Sequence, residues 1–433
     1  MADDGAFEFV KERAGIREWR MRANGLQVLL LANRVAPVAT FCIVYRVGSR
    51  HEAVGYTGST HLLEHLMFKG TPDFNRESGT QIASILESVG ARFNATTWFD
   101  RTNYFETVPS DQLELAMRIE ASRLRHSFIR DSDRVPEMTV VRNEFERGEN
   151  SAFQVLYKES FALAFREHPY HHPTIGWKSD IEGVSTDRLK EFYDTFYHPD
   201  NATALVIGDF EEQAVLSLLS RHFGSIPPSS RPIPTVYTVE PKQEGERRFT
   251  VRRTGQIGWV ALSYRAVAAS HSDTPALAVA SNVLGSGMTS RLYQALVEKS
   301  LAISVSAISW QLRDPSLFSL FAALTPGTAH EDVERIVREE IARFARDGVT
   351  DEELAKARTQ IEADVIFERD TTDQVAGSLT EAVAIADWEW FVEYPERVAA
   401  VTSTDVLAAA RRYFLDDALT VGWFVPKIVE KAA

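Results

Sequence analysis

The sequence predicts an α+β fold of two homologous domains, each an antiparallel-rich sheet covered by helices on one face. Three features predict it. The chain has 433 residues, which is too long for one ordinary hydrophobic core. Its two halves resemble each other, and each passes from strands to helices and back to strands, with hairpin-like pieces between. No glycine-rich phosphate loop follows a strand, so the sequence does not support a nucleotide-binding fold.

The repeat is visible in two pairs of segments. The segment STDRLKEFYDTFYHPDNATALVI begins at Ser185, and STDVLAAARRYFLDDALTVGWFV begins at Ser403, at an offset of 218. Each is typical of a helix with an N-cap in its Ser-Thr-Asp triplet, followed by an apolar strand. Upstream, FCIVYRVGS around Tyr45 resembles WVALSYRAVA around Tyr264 at a similar offset. We infer two homologous halves.

A linker separates the halves. The stretch FGSIPPSSRPIPTVYTVEPKQEGERR is rich in proline, serine and charge, a composition typical of linkers. We therefore predict an N-terminal domain at 1–228, a linker at 229–247 and a homologous C-terminal domain at 248–433.

Composition excludes several classes of protein. Hydrophobic residues make up 44% and charged residues 25%, and no apolar run reaches the roughly 18 residues of a membrane span. A net charge of −14 without a Lys/Arg cluster argues against a nucleic-acid partner. The single cysteine, Cys42, excludes an intramolecular disulfide and is expected to be a small core residue. Without an evident secretory signal, we expect a cytoplasmic protein, or a periplasmic one if an upstream signal is removed.

The stretch GSTHLLEHLMFKG, from Gly58 to Gly70, carries the candidate chemistry. Successive residues of an α-helix turn by about 100°, so His61, Glu64 and His65 point to the same side. Two imidazoles one turn apart suit a tetrahedral zinc ion that keeps one position for water. Glu64 would then be the general base that takes a proton from this water and later protonates the leaving amine. The alternative is a helix with a polar, solvated face.

The repeat offers an internal comparison for this helix. At an offset of 217, the three residues correspond to Ala278, Ser281 and Asn282. The helix is repeated, but its two histidines and its glutamate are not. This asymmetry favours one functional copy and one structural copy.

The pattern H-x-x-E-H with its surroundings GSTHLLEHLMFKGT resembles the inverzincin metallopeptidases, the family of pitrilysin, insulin-degrading enzyme and mitochondrial processing peptidase. The resemblance implies one Zn²⁺ per chain and a third ligand from the segment PEMTVVRNEFERGEN. Within this segment, Glu144 matches the ligand position. Glu137 matches a carboxylate that orients a ligating imidazole. Glu146 and Glu149 are alternative ligands on the same segment.

The resemblance also implies how substrate is bound. The segment GARFNATTWFDRTNYFETV is similar to a family segment in which Asn94 and Ala95 would meet a peptide backbone at a sheet edge. An ordinary hairpin strand is the alternative. The motif HPYHHPTIGW contains His168, His171 and His172, and it resembles a structural family loop rather than a second metal cluster.

One segment departs from the family pattern. Active members carry an arginine and a tyrosine that reach the substrate from the second half, but LVEKSLAISV places Val297 and Ile303 there. Neither side chain can donate a hydrogen bond. The resemblance therefore implies the catalytic subunit of a heterodimer that closes as a clamshell, whose related partner supplies the missing arginine and tyrosine. A homodimer, or a non-catalytic subunit of the same fold, is the alternative.

Overall fold

The computed structural model describes residues 5–427, which contain a seven-stranded and a five-stranded sheet. The strands of the first sheet are β1 (Phe7–Arg13), β2 (Ile16–Met21), β3 (Gln27–Ala32), β4 (Val38–Tyr45), β5 (Arg92–Thr97), β6 (Thr102–Pro109) and β7 (Ala202–Gly208). Those of the second are β8 (Arg247–Thr254), β9 (Trp259–Arg265), β10 (Ala302–Ser309), β11 (Leu317–Leu324) and β12 (Leu419–Lys427).

Fourteen α-helices lie in the described part of the chain. Those before the second sheet are α1 (Ser59–Leu66), α2 (Ile82–Ser88), α3 (Leu113–His126), α4 (Asp131–Glu149), α5 (Ala152–Ala164), α6 (Lys178–Gly183), α7 (Thr186–Phe196) and α8 (Glu212–Phe223). The later helices are α9 (Thr274–Gly285), α10 (His330–Asp347), α11 (Asp351–Phe367), α12 (Thr372–Ile385), α13 (Trp390–Ala400) and α14 (Ser403–Tyr413). None of the helices within 5–427 is both long and apolar enough to span a bilayer.

Strand order confirms the two homologous halves. The first sheet contains the order β3-β7-β4-β6-β5, and the second has the corresponding order β8-β12-β9-β11-β10. In each sheet one pair is parallel, β3 with β7 and β8 with β12, and the other pairs are antiparallel. The antiparallel-rich α+β fold is therefore confirmed, and the first sheet adds β1 and β2 at one edge.

Helix caps refine the register of the repeat. Ser185 caps α7 by accepting a hydrogen bond from the Arg188 amide, as expected. In the second half the cap is Thr402, which accepts from the Asp405 amide, and not a member of the Ser-Thr-Asp triplet. Thr402 is thus the structural counterpart of Ser185, so the structural repeat is one residue out of register with the matching letters.

Helices cover both faces of the first sheet, which corrects the expectation of one covered face. Phe41 and Ile43 of β4 pack into the larger core, with leucines of α1 and residues of α3, α7 and α8. Cys42 and Val44 point the other way and pack against α12. A strand buried on both faces is apolar at successive positions, and FCIVY has this pattern. The cysteine is thus a buried core residue with a free thiol.

The chain divides into two compact units that are discontinuous in sequence. The first comprises the described residues up to 145, with 173–237 and 368–392; the second comprises 146–172, 238–367 and 393–427. Helix α12 therefore belongs to the first unit, and α5 belongs to the second, where Val155 and Leu156 pack with residues of the second sheet. We predicted continuous domains at 1–228 and 248–433, which would place α5 in the first and α12 in the second. In the structure these two helices are exchanged between the units, because each sheet has a second apolar face that a helix must cover.

Candidate metal centre

Helix α1 is positioned by a glycine and by the carboxylate of a residue shortly before the helix. Gly58 precedes the helix with a φ of +84°, and a Cβ there would lie 2.5 Å from the Ile175 carbonyl oxygen, so only glycine fits. No side chain of the N-cap residue is available to the first turn. The Glu52 carboxylate instead accepts hydrogen bonds from the amides of Gly58 and Thr60, each at 2.7 Å. This satisfies two of the unpaired amides at the helix start.

Packing sets the rotation of α1. Leu62, Leu63 and Leu66 are fully buried in the larger core of the first unit. His61 and His65 consequently lie on the opposite side, half-buried, with side-chain exposures of 17% and 15%. A surface helix would leave such residues in solvent, so the polar-face alternative does not describe their surroundings.

Helix α4 brings a carboxylate to the two imidazoles. Its Glu137 and Val141 are buried, which turns this side of the helix toward α1. Glu144 Oε2 lies 3.5 Å from His61 Nε2 and 3.6 Å from His65 Nε2, and the two Nε2 atoms are 3.3 Å apart. Between residues 5 and 427, this is the single group of three or more histidine, cysteine or acidic residues arranged to hold a metal ion.

The three donor atoms fit a zinc ion. Tetrahedral zinc has bonds of about 2.0 to 2.2 Å, which place neighbouring donors about 3.3 to 3.6 Å apart. The separations of 3.3, 3.5 and 3.6 Å match the edges of such a tetrahedron. Three protein donors also leave a fourth position for water, the arrangement of catalytic zinc sites. His61, His65 and Glu144 are therefore suited to hold Zn²⁺.

Glu137 orients one of the candidate ligands. Its Oε1 lies 2.7 Å from His65 Nδ1, and its Oε2 pairs with Lys69. A proton on Nδ1 is the form that donates to a carboxylate, so the lone pair of neutral His65 is on Nε2, toward His61 and Glu144. This is the role that the sequence comparison assigned to Glu137. His61 has no equivalent support, because its buried Nδ1 has no hydrogen-bond partner among the described residues.

The electrostatic surroundings differ between the two histidines. Burial, together with nearby His65, lowers the pKa of His61 to about 3, so this imidazole is neutral at neutral pH. Burial also opposes protonation of His65, but the hydrogen bond with Glu137 and the charges of Glu144 and Glu64 raise its pKa on balance. Burial acts against ionisation of Glu137, but hydrogen bonds from His65 and Lys69 lower its pKa.

Glu64 lies beside the donors but is not one of them. It is 9% exposed, and the Thr97 hydroxyl at the end of β5 donates to its Oε2. Burial raises the pKa of Glu64, and the hydrogen bond from Thr97 offsets part of this effect. A raised pKa makes a carboxylate beside a metal site a better proton acceptor than a solvated one.

The strand expected to bind substrate is at a sheet edge. Strand β5 is the last strand in the first sheet and pairs with β6 alone. Asn94 is exposed, Ala95 is buried, and the Asn94 side-chain oxygen accepts from the Ala95 amide at 2.9 Å. The contact between Thr97 and Glu64 shows that one end of this strand reaches the candidate centre.

The alternative ligands lie elsewhere. Glu149 pairs with Lys158 and with Arg253, and Glu146 is exposed, so neither joins the donor group. His168 contacts Asp314 Oδ2 through Nε2 at 3.0 Å. His171 and His172 also lie outside any donor group found in the described residues.

The two residues that depart from the family pattern, Val297 and Ile303, lie in the second half of the chain. Val297 ends a π-helix at Tyr293–Val297 and packs against the core of the second unit. Ile303 is 51% exposed at an irregularity in the pairing of β10 with β11, between Ala302 and Ser304.

Sequence reasoning missed Glu52, Lys69 and Thr97. Each acts on the centre through another residue, and no short motif includes their partners. One signal was available, because an acidic residue shortly before an uncapped helix start can reach its free amides. Asp180 was also missed; its carboxylate accepts from the amides of Gly55 and Thr57 and from the Thr57 hydroxyl, which fixes the loop before α1.

Two family models match the chain. One is described as insulinase, peptidase family M16, and matches residues 27–177; the other is described as the peptidase M16 inactive domain and matches 183–361. The zinc protease PqqE of Helicobacter pylori is 33% identical over 409 residues, covering 93% of this chain and 91% of that protein.

Solved structures of other proteins are also similar to this chain. A protease from Helicobacter pylori superposes with a TM-score of 0.90 at 31% identity, over 95% of this chain and 99% of that one. Pitrilysin superposes with a TM-score of 0.80 at 16% identity, a level that shows the fold alone. The match covers 98% of this chain and 47% of pitrilysin.

Proposed function

The chain belongs to peptidase family M16, and from this premise we propose that it is a zinc-dependent endopeptidase acting on peptides or unfolded protein segments. The observation that carries the proposal is the donor triangle of His61, His65 and Glu144, with edges of 3.3 to 3.6 Å, beside the buried carboxyl of Glu64. A relative named a zinc protease and matching nearly the whole chain supports the same activity.

Each residue has a distinct task in this proposal. Bound zinc supplies a Lewis acid that polarises the scissile carbonyl and makes water a better nucleophile. Glu64 Oε1 accepts a proton from the attacking water and returns it to the leaving amine. Glu137 holds His65 in the tautomer that directs Nε2 at the centre. Burial of Glu64 keeps bulk water from stabilising its charge, which raises its pKa and favours acceptance of the proton from water.

Substrate would bind as an added strand. An edge strand offers unpaired amides and carbonyls, so an extended peptide can pair with β5 largely independently of its sequence. Asn94 and Ala95 would contact the peptide backbone, and Thr97 ends the strand beside Glu64. This arrangement would bring a main-chain carbonyl to the centre. An unfolded segment satisfies the requirement, whereas a folded surface does not.

We further propose that the chain is the catalytic subunit of a heterodimer that closes as a clamshell. Val297 and Ile303 occupy the positions where active relatives carry substrate-binding arginine and tyrosine, and neither can stabilise a developing oxyanion. The chain also spans only 47% of pitrilysin, to which it is similar in fold. A related partner that carries an arginine and a tyrosine would complete the site.

Assays of the purified chain test both parts. We expect one zinc per chain by elemental analysis, weak or no cleavage of an unfolded protein alone, and chelator-sensitive cleavage when the related partner from the native source is added. Full activity without a partner would contradict the heterodimer but not the peptidase. Stoichiometric zinc without cleavage, even with the partner present, would identify a non-catalytic subunit of the same fold.

A further inference from the structure

The carboxylate of Glu64 is held by a single hydroxyl. Thr97 Oγ1 donates to Glu64 Oε2, and no other donor to this carboxylate is found among the described residues. Glu64 is on helix α1, and Thr97 is the last residue of strand β5, 33 positions further along the chain. One oxygen of the carboxylate is thereby occupied, and Oε1 is left for a proton in transfer.

The position of Thr97 is itself constrained. The Trp98 amide donates to the Arg101 carbonyl at 2.9 Å, which closes the turn between β5 and β6. The segment Gly48–Arg50 packs against this turn, with the Ser49 and Arg50 amides donating to the carbonyls of Trp98 and Phe99 at 3.1 and 3.0 Å. The turn therefore does not move freely with respect to the sheet.

Two further observations show that the segment Gly48–Arg50 and the turn between β5 and β6 are closely packed. A Cβ at Gly48 would lie 2.2 Å from the Trp98 carbonyl oxygen, so the two backbones are as close as glycine allows. Arg50 Nη1 and Asp100 Oδ1 form a buried ion pair at 3.0 Å. A buried, hydrogen-bonded pair is costly to break, because either partner alone would remain as an unpaired charge.

We propose that Thr97 is a positioning residue: its hydroxyl orients the Glu64 carboxylate so that Oε1 faces the metal centre, and it links the orientation of the base to the edge strand. This inference rests on the proposed peptidase function. A carboxylate on a flexible side chain samples several rotamers unless a neighbour selects one. Neither Glu137 nor Lys69 can select it, because both engage His65 or each other. The edge strand that would bind substrate thus also sets the geometry of the base.

Variants at Thr97 test the proposal. T97V keeps the shape of the side chain and removes the hydroxyl, whereas T97S keeps the hydroxyl. A hydrogen bond to a charged group contributes enough that its loss should lower kcat by about 10- to 100-fold. In assays with the related partner present, we expect this loss in T97V, with KM and zinc content unchanged, and recovery to within about threefold of wild type in T97S.

A control variant and a double variant separate positioning from general damage. Thr107 on β6 pairs its hydroxyl with that of Thr40 at 2.8 Å, at the other end of the hairpin, so T107V removes a comparable hydrogen bond away from Glu64. T107V should keep kcat. Introducing T97V into E64Q should cause no further loss, because the hydroxyl acts through Glu64.

A measurement that does not depend on enzymatic activity tests the role of Thr97 separately. Crystal structures of zinc-free T97V and T97S should show Glu64 leaving its present rotamer in the first and keeping it in the second. An unmoved Glu64 in T97V, an undiminished kcat in T97V, or equal losses in T97V and T97S would each overturn the proposal. A wild-type protein that cleaves no peptide even with its related partner present would instead refute the proposed function, and the crystal structures would still decide the role of Thr97.

Discussion

Helices α1 and α9 follow equivalent strands, β4 and β9, of two sheets with the same strand order. Of the two helices, α1 carries the candidate metal ligands and the candidate base. At the offset of 217, His61, Glu64 and His65 correspond to Ala278, Ser281 and Asn282. Helix α9 is buried along most of its length and packs into the core of the second unit. Helix α1 buries its leucines and leaves the two histidines only partly exposed. The same element can therefore serve packing or catalysis, depending on which side chains occupy the face away from the core.

The comparison extends to the third donor. Glu144 of α4 reaches the histidines of α1, whereas its counterpart at the same offset is Ile361 in α11, which packs against the second core. A metal site in the second half would thus lack its carboxylate as well as its imidazoles. The difference between the halves involves two separate helices, and creating a second site would require changes on both.

The comparison is tested most strongly by removing a ligand from one helix and its counterpart from the other. H65A should lose stoichiometric zinc and all measurable peptidase activity, because two remaining donors do not make a stable zinc site. N282A should keep both. Zinc analysis and a peptide-cleavage assay with the related partner present check the pair, and retention of zinc by H65A would show that the donor triangle is not the metal site.

A second pair separates metal binding from proton transfer. E64Q should retain one zinc per chain and lose about 10²- to 10⁴-fold in kcat, since the amide cannot accept the proton of water. S281A, at the corresponding position of α9, should change neither quantity. Turnover in E64Q equal to that of wild type would exclude Glu64 as the base.

A third variant sharpens the difference between the two histidines of α1. E137Q removes the carboxylate that accepts from His65 Nδ1, and partners of this kind change metal affinity by about 10- to 100-fold when replaced. We expect a weakening in this range, measured by competition with a chelator. Unchanged affinity would mean that packing alone orients His65. T139A, at an exposed position of the same helix, is a suitable control.

The smallest expected effect concerns how the two helices begin. Helix α1 follows Gly58 and depends on Glu52 for two amide partners, whereas α9 follows Asp273 and has a proline in its first turn. E52A should lower the stability of the first unit by about 1 to 2 kcal/mol, the usual cost of losing an N-cap. E52Q keeps one acceptor and should lose less. Calorimetry of the thermal unfolding midpoint measures both, and an unshifted midpoint in E52A would contradict this role of Glu52.

Several parts of the fold and the site could be predicted because they depend on residues close in sequence. Strand β4 is apolar at every position except Thr40, so its existence follows from composition, although its two covered faces were not anticipated. The hairpin of β5 and β6 lies within one short segment, 92–109, so its two strands are neighbours in the sequence. The N-cap of α7 lies in the predicted Ser-Thr-Asp triplet, at Ser185, but the second cap, Thr402, lies one residue before its triplet.

The exchange of α5 and α12 between the compact units could not be predicted. Both helices have apolar side chains to bury and are capped by a serine or a threonine. These local features do not determine which of two apolar sheet faces each helix covers. The choice depends on the shape of each sheet face and on the length of the connecting segments, which are properties of the folded chain.

The sequence by itself determined that His61, Glu64 and His65 share one side of a helix, because the helical period relates residues three and four apart. The resemblance to the inverzincins pointed to Glu144 and Glu137. Only the tertiary structure decided that Glu144, rather than Glu146 or Glu149, closes the donor triangle and that Thr97 holds Glu64. These contacts join segments that are far apart in the sequence. Local geometry cannot specify them, because they depend on how buried side chains pack α1 against α4 and β5.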